Sequence, residues 1–291
     1  MSLDPVQLAT FRAVVTHGSF DAAAQALRVT PSAVSQRIKA LERAVGQVLV
    51  RRARPCVPTA AGAPLIRLGG QVALLEQEAL DAARGALRDH TRVTVVVNAD
   101  SLASWFLPAL TAVPDMLVDL RTDDEAHTAQ LLRDGTVMAA VTTERTAVQG
   151  CRVLRLGALR YLAVATPAAH SAHFADREPA TAFPTAPMIR FDRKDTLQHR
   201  FARTLTRRDV DPPTHFVPGT AAFTEAIRLG LGWGLLPEAV ARPDLAAGRL
   251  VDLAAGRHLD VPLYWQCWRL ESTALTALTA AVRAAAGTAL Y

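Results

Sequence analysis

Lysine is scarce in this 291-residue chain: of 32 basic residues only Lys39 and Lys194 are lysines, a composition in keeping with a GC-rich bacterial genome. Cysteine is scarce as well. Cys56, Cys151 and Cys267 stand singly, which argues against a disulfide framework and against a spaced zinc set. No run of about 18 uninterrupted apolar residues occurs, so no membrane span is expected. The N-terminus has neither a charged segment nor an apolar core of the kind that directs secretion, and a cytoplasmic location is expected. Catalytic signatures are missing too: there is no Gly-x-Ser-x-Gly elbow, no HExxH pair and no P-loop. The GLGWG run at residues 230–234 follows a helical stretch and precedes a strand, the reverse of the order a nucleotide loop needs. His170 and His173 lie beside no further ligand, and a surface loop is the simpler reading. No cofactor, no metal and no enzymatic activity are expected. Apolar residues make up 50% of the chain, enough to bury a sizeable core.

What is present begins at residues 19–39, SFDAAAQALRVTPSAVSQRIK: a small-residue helix, a tight connection, and a second helix opened by Thr30 and Pro31. That order is a helix-turn-helix. At about 100° per residue, Val34, Ile38, Leu41 and Val45 fall within a stripe about 60° wide. Ser32, Ser35, Gln36, Lys39 and Arg43 gather on the opposite side, which is free either to enter a major groove or to be a solvated face. Charge favours the groove. Residues 1–60 hold eight Lys/Arg against three acids, an excess of five equal to that of the whole chain, so the remaining residues sum to zero. A basic excess concentrated on the helix-turn-helix is the footprint of phosphate binding.

The segment VLVRRARPCVPT at residues 48–59 reads as a short hairpin, with Arg51, Arg52 and Arg54 placed to touch DNA backbone or minor groove; a solvated hairpin is the alternative. From Thr59 a helix is predicted to about Arg88. Leu65, Leu68, Val72, Leu75, Ala79, Ala82 and Ala86 recur three and four apart along it, with Glu76 and Glu78 alongside. A sustained 3.5-residue repeat favours a partner helix from a second copy over packing on its own domain. A two-fold dimer would offer two recognition helices to two half-sites of double-stranded DNA.

Beyond the helix, strand-like runs at residues 93–97, 117–121, 138–142 and 159–165 alternate with helical stretches. Further runs follow at 188–191, 215–217, 234–236 and 250–253. This pattern predicts βα units and a mainly parallel sheet, and about two hundred residues fit two lobes better than one. The expected organisation is a winged helix-turn-helix over residues 1–60, a linker helix over 61–89 and an α/β two-lobed domain over 90–291. Lobe I would take about 90–162 and 266–291, lobe II about 163–265. Ligands in such folds bind at the carboxyl ends of strands.

With these residues in view, the first ninety or so positions, including SAVSQRIKALE and VGQVLV, resemble the DNA-binding domain and linker helix of LysR-type transcriptional regulators. VNADSLASWFLPAL at 97–110, GALRYLAVATP at 157–167, the pair Phe191–Asp192 and LYW at 263–265 resemble the ArgP/LysG branch. The resemblance spans essentially the whole chain. It implies an all-α winged helix-turn-helix followed by a periplasmic-binding-protein-like effector domain, L-lysine or L-arginine as effector, control of genes such as a basic amino-acid exporter, assembly as homodimer or homotetramer, and contact with RNA polymerase. DNA contact is expected from Ser19, Thr30, Pro31, Ser32, Ser35, Gln36, Arg37, Lys39, Arg43, Arg51, Arg52 and Arg54.

For an amino-acid effector, Asn98 and Ser101 would face the α-carboxylate at a helix start. Asp123, Asp124 and Glu125, the densest acidic run, would compensate a cationic side chain. Asp192 would meet the α-amino group, and Thr142 and Thr220 would add neutral contacts. For each acid, a helix cap or solvated turn is the alternative. Competing functions are an architectural DNA-binding protein without effector control, a regulator of the same type that responds to another metabolite, a solute scavenger, and an amino-acid-metabolising enzyme.

Overall fold

The computed structural model describes residues 3–84, 91–122 and 125–291. The chain divides into two units: residues 1–98, 109–155 and 264–282 form the first, and 99–108, 156–263 and 283–291 the second.

The first unit opens with α1 (Pro5–His17), α2 (Phe20–Leu27) and α3 (Pro31–Val45), then a two-strand wing, β1 (Val50–Arg51) and β2 (Val57–Pro58), and the long α4 (Ala63–Arg84). Each of the first three helices has a side-chain cap at its start. Asp4 accepts from Val6 N, Ser19 from Ala22 N and Thr30 from Ala33 N. Gly18 and Gly46 close α1 and α3 in the left-handed region, where a residue without Cβ is unstrained. Phe11, Val14, Ala23, Val34, Ile38 and Leu41 make a common core, and Ile66 of α4 joins it.

The long helix has two faces. Ile66, Gly69, Gly70 and Leu74 are buried within the unit, and a Cβ on Gly70 would meet the Trp268 ring at 2.6 Å. Leu65, Leu68 and Val72 are half-buried, while Leu75, Ala79 and Ala82 are exposed. The expected seam is therefore divided: Leu65 and Leu68 pack against the core of the helix-turn-helix, and only its later part, Leu75, Ala79 and Ala82, is exposed, while Ala86 lies outside the described residues. Glu78 departs from the expectation that it flanks a seam. Its carboxylate accepts from Ser272 Oγ (2.6 Å), Ala274 N (2.9 Å) and Thr273 N (3.3 Å), capping a helix nearly two hundred residues away in sequence. Glu78→Ala should lose that cap and lower stability by about 1–2 kcal/mol, read as a fall in Tm. An unchanged Tm would mean that the cap contributes nothing.

The sheet of this unit is built on β3 (Thr91–Val96), parallel to both β4 (Met116–Arg121) and β5 (Ala139–Thr142). Between these strands lie α5 (Ala99–Ser101), a π-helical turn (Leu102–Phe106), α6 (Leu107–Thr111) and α7 (Glu125–Arg133). β5 is buried at every position, as its apolar sequence requires.

Beyond β5, β6 (Cys151–Ala165) carries the chain into the second unit. There follow α8 (Pro167–His173), α9 (Pro179–Ala182), β7 (Met188–Arg190), α10 (Leu197–Thr206), β8 (Thr214–Phe216), α11 (Thr220–Arg228), β9 (Gly234–Pro237), α12 (Glu238–Ala246) and β10 (Val251–Asp252). β11 (Leu259–Trp268) returns, pairing antiparallel with β5 from Tyr264 to Cys267, and α13 (Thr273–Ala289) ends the fold. In the second unit β6 pairs antiparallel with β9 and β10, and β7 runs parallel to β8. Phe174, Phe183, Phe201 and Trp233 pack edge to face as its aromatic core.

One ion cluster ties α11 to α12. Asp244, 1% exposed, accepts from Arg228 Nε at 2.8 Å and Arg249 Nε at 2.6 Å. Burial opposes its ionisation, but the hydrogen bonds from Arg228 and Arg249 outweigh it and hold the carboxyl below its usual range. A depressed carboxylate contributes stability above the unfolded-state value of about 4 and loses it as pH falls through the lower folded-state value. Asp244→Ala should therefore cost about 1–3 kcal/mol at pH 7 and less in acid, where the parent loses the same contribution. The cost stays below that of a fully buried pair because both guanidiniums reach solvent. Urea titrations of parent and variant at pH 7 and pH 3 check this; a gap equal at both pH values would refute it.

Candidate functional site

The polar face of α3 is set by its core face. With Val34, Ile38 and Leu41 buried, Pro31, Ser32, Gln36, Lys39 and Arg43 are exposed together, and Ser35 is half-buried between them. Thr30 holds the helix start, and Glu42 Oε1 accepts from Leu49 N at 2.9 Å, fixing the wing to the end of α3. Arg51, Arg52 and Arg54 are exposed on the wing, and the Arg52 guanidinium lies 4.6 Å from the Phe20 ring centre. That stacking sets one wing cation against the start of α2, where Ser19 caps. Arg37 departs from the expected pattern. It is half-buried and turns back to Thr10 Oγ1 at 3.4 Å, so it braces α3 against α1.

The expected effector residues fare unevenly. Asn98 is half-buried between β3 and α5, Ser101 is fully buried at the end of α5, and Thr220 is half-buried as the first residue of α11. Thr142 is buried at the end of β5, with its hydroxyl accepting from Glu144 N at 3.0 Å. Asp192 differs from expectation in its position. It follows β7 rather than ending it, and its Oδ1 accepts from Lys194 N and Asp195 N at 2.7 and 2.9 Å, the geometry of a capped turn. Asp123 and Asp124 lie outside the described residues, and Glu125 is the first residue of α7.

Asp100, between Asn98 and Ser101, was not among the expected residues. Its Oδ2 accepts from the Tyr161 hydroxyl at 2.7 Å, both residues belonging to the second unit. Burial raises its pKa, the Tyr161 hydrogen bond works the other way, and the charge of Asp195 raises it further. No cation is paired with it among the described residues. A carboxylate under these conditions is one that a cationic ligand would relieve. In sequence, an acid in the first turn of a helix reads as an ordinary dipole partner, and Tyr161 lies sixty-one positions away.

A winged reader with an exposed polar recognition face, followed by a long helix and an α/β module built on a mixed sheet, defines a DNA-binding transcriptional regulator with a sensory domain. The chain belongs to the LysR family: residues 5–63 match the bacterial regulatory helix-turn-helix proteins of the lysR family, and residues 85–287 match the LysR substrate binding domain. It is 53% identical over 285 residues to the transcriptional regulator LysG of Mycobacterium tuberculosis, covering 98% of this chain and 94% of that one. It is 44% identical over 288 residues to the lysine export transcriptional regulatory protein LysG of Corynebacterium glutamicum, covering 96% and 97%. The crystal structure of ArgP from M. tuberculosis superposes with a TM-score of 0.90 at 53% identity, over 100% of this chain and 99% of that one. Full-length LysG of C. glutamicum with its effector Arg bound gives 0.79 at 42% identity, over 99% of each chain.

The winged helix-turn-helix and the α/β effector domain are thus those of the family. Among the described residues no helix is long and apolar enough to cross a membrane.

Proposed function

We propose that this regulator senses a basic amino acid, L-lysine or L-arginine, and controls genes such as a basic amino-acid exporter. The observation that carries the reading is its similarity, over 99% of both chains, to a LysG whose structure holds Arg. Asp100 adds a chemical reason. A half-buried carboxylate pushed toward neutrality by burial and by Asp195 gains most from an ammonium or guanidinium. Asn98 and Ser101, its neighbours at the same helix start, stand by the α-carboxylate role, and Thr142 and Thr220 remain neutral contacts. Asp123, Asp124 and Glu125 would compensate the effector's cationic side chain.

The exposed Leu75, Ala79 and Ala82 of α4 support assembly through a second copy, as dimer or tetramer, and DNA reading by paired α3 helices in the cytoplasm, with RNA polymerase as the downstream partner and no enzymatic step. Effector binding would act by favouring one DNA-bound arrangement over another, which requires that it bind one state better. Isothermal calorimetry with L-lysine, L-arginine and neutral amino acids tests the proposal. Heat confined to the basic pair is the expected result. Equal or absent binding across the set would remove the effector assignment and leave a regulator of another metabolite or an effector-independent DNA binder.

A further inference from the structure

The neutral sum of residues 61–291 conceals a local excess. Between positions 190 and 208 the chain carries seven Lys/Arg against two acids, all within the second unit. Arg193, Lys194, Arg200, Arg203, Arg207 and Arg208 are exposed. On α10, Gln198, Phe201 and Ala202 are buried, so Arg200 and Arg203 share the outer face, and Arg207 follows at the helix cap. The row from Arg200 to Arg207 is about 10 Å long at 1.5 Å per residue. Arg203 pairs only loosely with Asp209, at 3.4 Å with both side chains largely in solvent, and no ion pair engages Arg200, Arg207 or Arg208 among the described residues. Arg193 is held in place, its guanidinium 4.9 Å from the Phe216 ring centre.

Helix stability does not account for this arrangement. Arg207 and Arg208 sit at the carboxyl end of α10, where the dipole favours a cation, but Arg193, Lys194 and Arg200 sit at its amino end, where the dipole opposes one. A protein partner is a poor fit as well. Arg is common in protein interfaces, but there it accompanies aromatic and apolar side chains at the centre, whereas the outer face of α10 offers Arg and Thr without them. Forked guanidiniums in a row suit the oxygens of successive phosphates.

We infer that the α10 face of the second unit is an additional DNA contact, binding the phosphodiester backbone outside the sequence read by α3. Tethered to a reader already on the operator, even a weak contact of this kind operates at high effective concentration. It carries no base specificity. It adds affinity on duplexes long enough to reach it and steepens their dependence on salt.

The test uses the full-length protein and two duplexes, one ending at the operator and one extended on both sides. For the parent, the slope of log K against log salt is expected to be steeper on the extended duplex. In R200S/R203S/R207S that difference should vanish, a loss of about two to three in slope, with binding to the short duplex unchanged. R200K/R203K/R207K keeps the charge and should restore it. Thermal melting and effector binding of each variant exclude a folding defect. A separate measurement leaves the arginines untouched: a photo-crosslinking benzoylphenylalanine at Thr204, exposed on the same face, should attach to the extended duplex and not to the short one. Identical slopes for parent and serine variant on both duplexes, or crosslinking at Thr204 to protein alone, would overturn the inference; the latter result would assign the face to an acidic protein partner.

Discussion

Asp100→Asn should weaken binding of lysine or arginine by about 100-fold or more while leaving the unliganded protein as stable as the parent, or more so. The two halves of this result have one cause. A carboxylate paired with a ligand cation away from water is worth several kcal/mol against its neutral isostere, because the amide leaves the ligand charge unmatched; about 3 kcal/mol already corresponds to more than 100-fold. Without ligand the same charge is a liability. Burial and the neighbouring Asp195 raise the Asp100 pKa despite the hydrogen bond from Tyr161. A raised carboxyl pKa means that the folded state binds its proton more tightly than the unfolded state does. Above the unfolded-state value of about 4, ionisation therefore lowers stability as pH rises to the folded value and beyond. The asparagine side chain removes that cost and still offers an oxygen to the Tyr161 hydroxyl. Calorimetry with L-arginine, paired with thermal melting at pH 7 without ligand, reads both. A variant with parental affinity and a lowered Tm would assign Asp100 to the scaffold alone. The parent should also bind the cation less well as pH falls into the raised titration range, and the variant should show no such decline from this group.

How far the chain could be read in advance depended on the range of the interactions involved. The helix-turn-helix was legible because its signals are local: Thr30 and Pro31 open α3, Gly46 closes it, and the spacing of Val34, Ile38 and Leu41 fixes which face is buried. Some strands of the α/β domain were legible as short apolar runs, β4 and β5 among them, but the sheet expected to be mainly parallel is mixed, because the long β6 and β11 pair antiparallel with β9, β10 and β5. The contacts of Arg37 and Glu78 were not legible, because each has a partner on another element. A charge beside an apolar seam and a carboxylate that caps the helix after Ser272 look alike until the chain is folded. Asp192 has a local partner set, yet an acid following a strand is equally compatible with a ligand and with the turn it makes to Lys194 and Asp195. The pairing of Asp100 with Tyr161 could not be read from spacing at all. Nor could net charge expose the α10 face, because a sum over two hundred residues cancels what a helix concentrates.

The recognition face of α3 allows a sharper test than loss of binding, because two of its exposed side chains should fail in different ways. Gln36 can offer a donor and an acceptor together to the edge of one base, and a bidentate contact of that kind discriminates by about 1–3 kcal/mol. Gln36→Ala should then cost about 5- to 150-fold at the cognate operator and almost nothing on unrelated DNA, so the specificity ratio falls by the same factor. Lys39 lies three residues on, a point charge on a flexible stem at the margin of the same face. If it meets phosphate, Lys39→Ala weakens operator and unrelated DNA alike and reduces the salt slope by about one, leaving the ratio intact. Both positions are exposed, so neither change should move Tm by more than about the 0.5 kcal/mol typical of surface substitutions. Titrations on operator and scrambled duplexes at several salt concentrations separate the two signatures. A specificity ratio unmoved by Gln36→Ala would mean that this residue reads no base, and the sequence information would then have to enter through Ser32 and Ser35 or through the shape of the DNA.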